Sequence, residues 1–151
     1  MTSELESWIN EAAVTHGVVL ERLAPNDALL VAEAVKAKFV DESPRVWSLG
    51  LKKPYIYYDA DSTSLSKVLP VHHGRVLFIP ETDDKNPLPV YRIEASDIEN
   101  LIGNCPFFEY YVVDSRNEWL IAETEHSIFI FCYASGSEVR VLPLGRIWPE
   151  E

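Results

Sequence analysis

Phe108-Glu-Tyr-Tyr-Val-Val113, Glu118-Trp-Leu-Ile-Ala-Glu123 and Ser127-Ile-Phe-Ile-Phe-Cys-Tyr133 decide the fold. Each run is rich in aromatic and β-branched residues, which suit a pleated surface that is at least half buried. The runs are separated by Asp114-Ser-Arg-Asn117 and Thr124-Glu-His126, gaps of the length that joins antiparallel neighbours. They predict a C-terminal β-meander, which a fourth run, Glu138 to Leu142, would extend beyond Ala134-Ser-Gly-Ser137. Ser127 to Tyr133 is apolar at both phases of the two-residue alternation, so it belongs at the centre of a sheet with each face covered. The Glu118 run mixes acids with apolar residues and reads as a rim strand.

Working back from the meander, Val90-Tyr-Arg-Ile-Glu94 is a short strand. Ser96 then caps a helix, with Asp97 and Glu99 favourably placed in its first turn and Gly103 past its end. Glu81 to Pro89 is the most loop-like stretch of the chain. Arg75 to Ile79 is a strand ended by Pro80, Asp61 to Leu69 a short capped helix closed by Pro70, and Arg45 to Leu49 and Tyr55 to Asp59 are two further strands. The N-terminal part changes period. A capping box, Ser3 with Glu6, leads into Leu5, Trp8, Ile9, Ala12 and Ala13 at helical spacing, stopped by His16-Gly17. After the connector Val18 to Leu23, Pro25-Asn-Asp27 opens a second helix through about Lys38, with Leu30, Val31, Ala34 and Val35 as its buried stripe. The expected fold class is α+β: N-terminal helices packed on a mixed or antiparallel sheet that ends in a C-terminal β-meander, in a single domain spanning residues 1–151.

A chain of 151 residues, 47% hydrophobic and 11% aromatic, can close a core without disulfides or metals. The start, Met1-Thr-Ser-Glu-Leu-Glu, has acids where a secretion signal needs a basic region, so a cytoplasmic location is expected. No apolar run approaches the length of a membrane span. Cys105 and Cys132 read as small apolar residues rather than a disulfide.

The net charge is −11, and it is unevenly placed. From Pro80 to Glu125 there are eleven Asp or Glu residues against Lys85, Arg92 and Arg116, which leaves eight of the eleven net negative charges on this segment. Nucleic acid and anionic membranes are poor partners for such a surface, because binding them depends on Lys and Arg displacing counterions. A protein with a basic surface is a good one, since opposite potentials speed encounter. Acidity for solubility alone, in a homodimer, is the plainer reading.

Chemistry-bearing motifs are scarce. Glu123-Thr-Glu-His126 puts two carboxylates and an imidazole in four residues, but on a strand end Glu123 and Glu125 share a face that His126 does not, and zincin spacing is absent. His72-His73, between Pro70 and Gly74, could join His126 only if the fold brings them together. There is no Gly-x-Ser-x-Gly elbow and no phosphate-binding glycine loop, and Cys132 sits in the most apolar run. No cofactor is implied. Tyr55, Tyr57, Tyr58, Tyr110, Tyr111, Trp47 and Trp119 are core residues in the first instance and interface anchors where a face stays open.

The block Phe107-Phe-Glu-Tyr-Tyr-Val-Val113, then Glu118-Trp-Leu-Ile121 and Glu123-x-Glu-His126, resembles a small bacterial family of unknown function in which an aromatic-Glu-Tyr-Tyr strand leads to Trp-Leu and an acid followed by histidine. This chain has Glu125-His126 where a His-His pair often stands. The resemblance implies a compact, single-domain bacterial cytoplasmic protein, and the family carries no established activity. By size and charge the chain is also similar to the immunity proteins of bacterial toxin systems, which cover a basic toxin.

The leading expectation is a non-enzymatic protein-binding domain, immunity- or antitoxin-like in its sharpest form. Its partner surface would comprise Glu81, Asp83, Asp84, Glu109, Glu118, Trp119, Glu123 and Glu125. The alternative is a metal-binding protein or hydrolase centred on His126 with Glu123, Glu125, His72 and His73.

Overall fold

The computed structural model describes residues 4–40, 47, 50–52, 55–61, 63–82, 88–124 and 127–133, together with the backbone of 146–148. Within these residues the helices are α1 (Glu4–His16), α2 (Pro25–Phe39), α3 (Leu65–Val68) and α4 (Ala95–Gly103). The strands are β1 (Glu21–Arg22), β2 (Tyr55–Asp59), β3 (Arg75–Pro80), β4 (Tyr91–Glu94), β5 (Tyr110–Val113), β6 (Trp119–Glu123), β7 (Ile128–Tyr133) and β8 (Arg146–Trp148). They form one sheet in the order β1-β4-β3-β5-β6-β7-β2-β8, and every pairing between neighbours is antiparallel. The fold is α+β, with N-terminal helices on an antiparallel sheet and β5-β6-β7 as the meander.

Backbone geometry at two non-glycine residues helps to close the meander. Asn117 (φ 55°) gives its N–H to the Asp114 carbonyl at 2.9 Å, and Asp114 in turn bonds the Trp119 carbonyl at 3.2 Å. Ser127 (φ 58°) bonds back to Thr124 at 3.1 Å, and Thr124 pairs with Ile128 at 3.0 Å. Asn tolerates the left-handed region through local hydrogen bonding of its short amide. The Glu138 to Leu142 run lies outside the described residues, and the second edge of β7 is taken by β2, with Ile56 opposite Phe131.

The sheet divides the interior in two. One face carries Val76, Phe78, Tyr110, Val112, Trp119, Ile121, Phe129 and Phe131, covered by Ile9, Ala12 and Ala13 of α1, Leu65 and Val68 of α3, and Ile98 and Leu101 of α4. The other carries Leu77, Ile79, Tyr111, Val113, Leu120, Ala122, Ile130 and Cys132, covered by Ala28, Ala32, Val35 and Phe39 of α2. Alternate residues of each central strand feed opposite cores, which is why β3, β5, β6 and β7 read as continuous apolar runs. A large side chain buried in either core contributes roughly 1.5–3 kcal/mol.

Four expectations are corrected. Strand β6 is not a rim: it lies between β5 and β7, and Trp119 to Ala122 are all buried. The α2 stripe is 28, 32, 35 and 39, spaced at four, three and four residues; of the expected residues Val35 belongs to it and Val31 packs against the same core, whereas Leu30 points the other way and is 69% exposed. The N-cap of α4 is Glu94 rather than Ser96, and Gly103 is its last residue. Of Arg45 to Leu49 only Trp47 is described, and it sits in a helical turn with its ring 5.0 Å from that of Tyr111. Ser3 of the expected capping box lies outside the described residues.

Candidate functional site

Strand register gathers three of the expected acids. Pro80 is opposite Tyr110, and Tyr110 is opposite Glu123. Glu81 follows Pro80 and gives its N–H to the Glu109 carbonyl at 2.9 Å. Glu81, Glu109 and Glu123 thus come from three adjacent strands at one end of the sheet, with neighbouring strands roughly 5 Å apart. All three are half-buried.

Two of these carboxylates are held from inside the protein. The Tyr110 phenol donates to Glu123 Oε1 at 2.5 Å on the face covered by three helices. The Tyr111 phenol donates to Glu81 Oε2 at 2.5 Å on the face covered by α2. Charge-assisted bonds of this kind are shorter and stronger than neutral ones. Burial, reinforced by the Glu123 charge, holds the Tyr110 phenol well above the ordinary tyrosine range, so it remains a donor. The two phenols therefore fix where the negative charge stands.

The remaining expected residues do not join this group. Glu118 precedes β6 and Glu123 ends it, which separates the two by roughly 17 Å of extended chain. Trp119 is only 4% exposed and packs in the three-helix core, so its ring is not presented to a partner in this conformation. Asp83, Asp84, Glu125 and His126 lie outside the described residues. His72 and His73 are exposed and precede β3 at its Arg75 end, whereas Pro80, Glu109 and Glu123 mark the opposite end. Among the described residues no three His, Cys, Asp or Glu side chains form a group that could hold a metal ion.

Cys105 and Cys132 are both free thiols. They belong to different cores, Cys105 on the three-helix side and Cys132 on the α2 side, so the sheet itself stands between them. Burial pushes the Cys132 thiol up to about 12 and raises that of Cys105, which keeps both protonated and unreactive at neutral pH.

A second buried polar group, not expected from the sequence, ties α1 to the sheet. The Glu6 carboxylate is almost fully enclosed, and its Oε1 accepts from the Tyr91 phenol at 3.0 Å and from Arg22 Nη2 at 3.0 Å. Burial and the Glu6 charge hold the Tyr91 phenol protonated far into the alkaline range. The sequence signal was weak: an acid one turn before Ile9 on the buried side of an amphipathic helix.

No helix among the described residues is long and apolar enough to cross a membrane. Compared with protein-family models, curated proteins and solved structures, the chain finds no match in any of the three.

Proposed function

We propose that this chain is a non-enzymatic protein-binding domain that offers an acidic surface to a basic partner, as an immunity or antitoxin-like protein does. One observation carries the reading: the register Pro80, Tyr110, Glu123 assembles Glu81, Glu109 and Glu123 from three strands at one end of the sheet. Buried phenols orient two of the three carboxylates. Charge held in place before encounter favours fast, salt-sensitive association with a positive patch. Asp83, Asp84 and Glu125 lie within three residues of Glu81 or Glu123 in sequence. Glu118 stands at the far end of β6 and serves as a control rather than as part of the surface.

The test is affinity capture from the native host, followed by association kinetics with the captured partner across a salt series. Glu81→Gln, Glu109→Gln and Glu123→Gln together should slow association about tenfold or more at low salt and flatten its salt dependence. Glu118→Gln should change it little. If the triple variant binds the same partner with unchanged rate and salt slope, the acidic end is not the recognition surface.

A further inference from the structure

The opposite character appears on the outer part of the α2-side face, where β1, β4 and β3 meet. Strand β4 is buried on one side only: Tyr91 and Ile93 enter the three-helix core, while Arg92 is exposed on the other. Register sets Glu21 opposite Arg92 and Arg92 opposite Leu77, and Arg75 lies two residues from Leu77 on the same side of β3. The result is an open cleft of about 330 Å³, lined by Glu21, Arg75, Val76, Leu77, Arg92 and Ser115.

We propose that this cleft binds the phosphate group of a small phosphorylated molecule, with Glu21 as an internal competitor for the same two guanidiniums. Glu21 accepts from Arg92 Nη1 at one carboxylate oxygen and from Arg75 Nη1 at the other, each at 3.1 Å, so a single acid bridges both cations. Glu94, the cross-strand partner of Arg75, is turned instead to the Gly74 amide at 2.7 Å. Within the cleft, two positive charges thus face one negative charge, in a chain whose net charge is −11. A guanidinium fork presents several coplanar donors and matches phosphate oxygens in pairs. A phosphate dianion supplies both of the charges that the cleft lacks once Glu21 is displaced. The Arg–Glu21 pairs are 45–64% exposed, and pairs so hydrated are weak enough to exchange. Ser115 adds a hydroxyl at the rim. This site lies toward the Arg75 end of β3, away from the Glu81 end, and it does not rest on the acidic-surface reading.

The experiment is a titration of the full chain with inorganic phosphate and with phenyl phosphate, followed by ¹H–¹⁵N shifts at constant ionic strength balanced with chloride. Saturable shifts centred on Glu21, Arg75, Arg92 and Ser115 are expected. Glu21→Gln should tighten binding roughly tenfold, the effect of removing two exposed ion pairs from competition. Arg75→Gln and Arg92→Gln, each made alone, should weaken it by about the same factor. Because these side chains are exposed, thermal unfolding of each variant should match the native chain. Absence of saturable shifts in both the native and the Glu21→Gln protein would overturn the proposal, as would equal binding by the arginine variants. Acetate binding as tightly as phosphate would overturn the phosphate assignment.

Discussion

Tyr110 and Glu123 are partners twice over: they are Cα neighbours across the β5–β6 pair, and the phenol of one bonds the carboxylate of the other at 2.5 Å. Backbone register and side-chain chemistry therefore specify the same pairing. Tyr110→Phe should lower stability to urea by about 1.5–3 kcal/mol, the usual worth of a hydrogen bond to a charged group. Tyr111→Phe should cost a similar amount, and the double variant should be additive because the two phenols lie on opposite sides of the sheet. Strong non-additivity would mean that the two ends of the network communicate.

Alkaline pH should unfold this protein through groups that the fold keeps protonated. Tyr91 and Tyr110 are raised by burial and by Glu6 and Glu123 respectively, and Cys132 by burial to about 12. The unfolded chain releases these protons near the ordinary values of 9.0 for Cys and 10.0 for Tyr, while the folded chain retains them. Stability is thus complete below about pH 9 and falls as pH rises toward and beyond 12, by up to about 1.4 kcal/mol per pH unit for each group. Urea midpoints at pH 8, 10 and 11 read this directly, and a flat series would contradict it.

The register of α2 separates two neighbouring apolar types. Phe39→Ala should cost about 3–5 kcal/mol, because it opens a cavity in the α2-side core. Leu30→Lys should change stability by no more than about 0.5 kcal/mol, since that side chain faces outward. Chemical denaturation of the two variants distinguishes this stripe from the one centred on Leu30.

Arg22 and Arg75 each pair with a glutamate, but only the first glutamate is buried. Arg22→Ala should destabilise by about 1.5–3 kcal/mol, because it removes a charged partner from an enclosed carboxylate while Arg22 itself is half exposed. Arg75→Ala should cost at most about 1 kcal/mol, in keeping with an exposed pair. Thermal melts of the two variants at equal ionic strength provide the comparison.

The strands were legible where composition and turn spacing agreed. β2, β3, β4 and the three meander strands fall within a few residues of their expected limits. What the sequence hid was the order of those strands and the depth of β6. Glu118 and Glu123 bracket β6 rather than punctuate it, and acids at the two ends of a central strand look in one dimension like acids along a rim strand. Register was hidden for a related reason. Taking Glu118 as the residue opposite Val113 would pair Tyr110 with Ile121, whereas the observed turn places Leu120 opposite Val113 and Glu123 opposite Tyr110. The Tyr110–Glu123 pair follows from that two-residue difference, whereas Tyr111–Glu81 follows from the β3–β5 register. The arginine cleft depended on β1, a two-residue strand too short to leave a periodic signal.

Strand β5 is Tyr-Tyr-Val-Val, so its two faces are almost interchangeable, and burial alone does little to tell one alignment from the next. Sliding the strand by one residue would carry Asp114 into the apolar place of Val113, or Glu109 into that of Tyr110. Both slips put a carboxylate where the neighbouring cores are dry. The acids that bound this strand thus act as detents that hold it in its groove, and a protein that sheds them to become less charged gives up the alignment on which its surface depends.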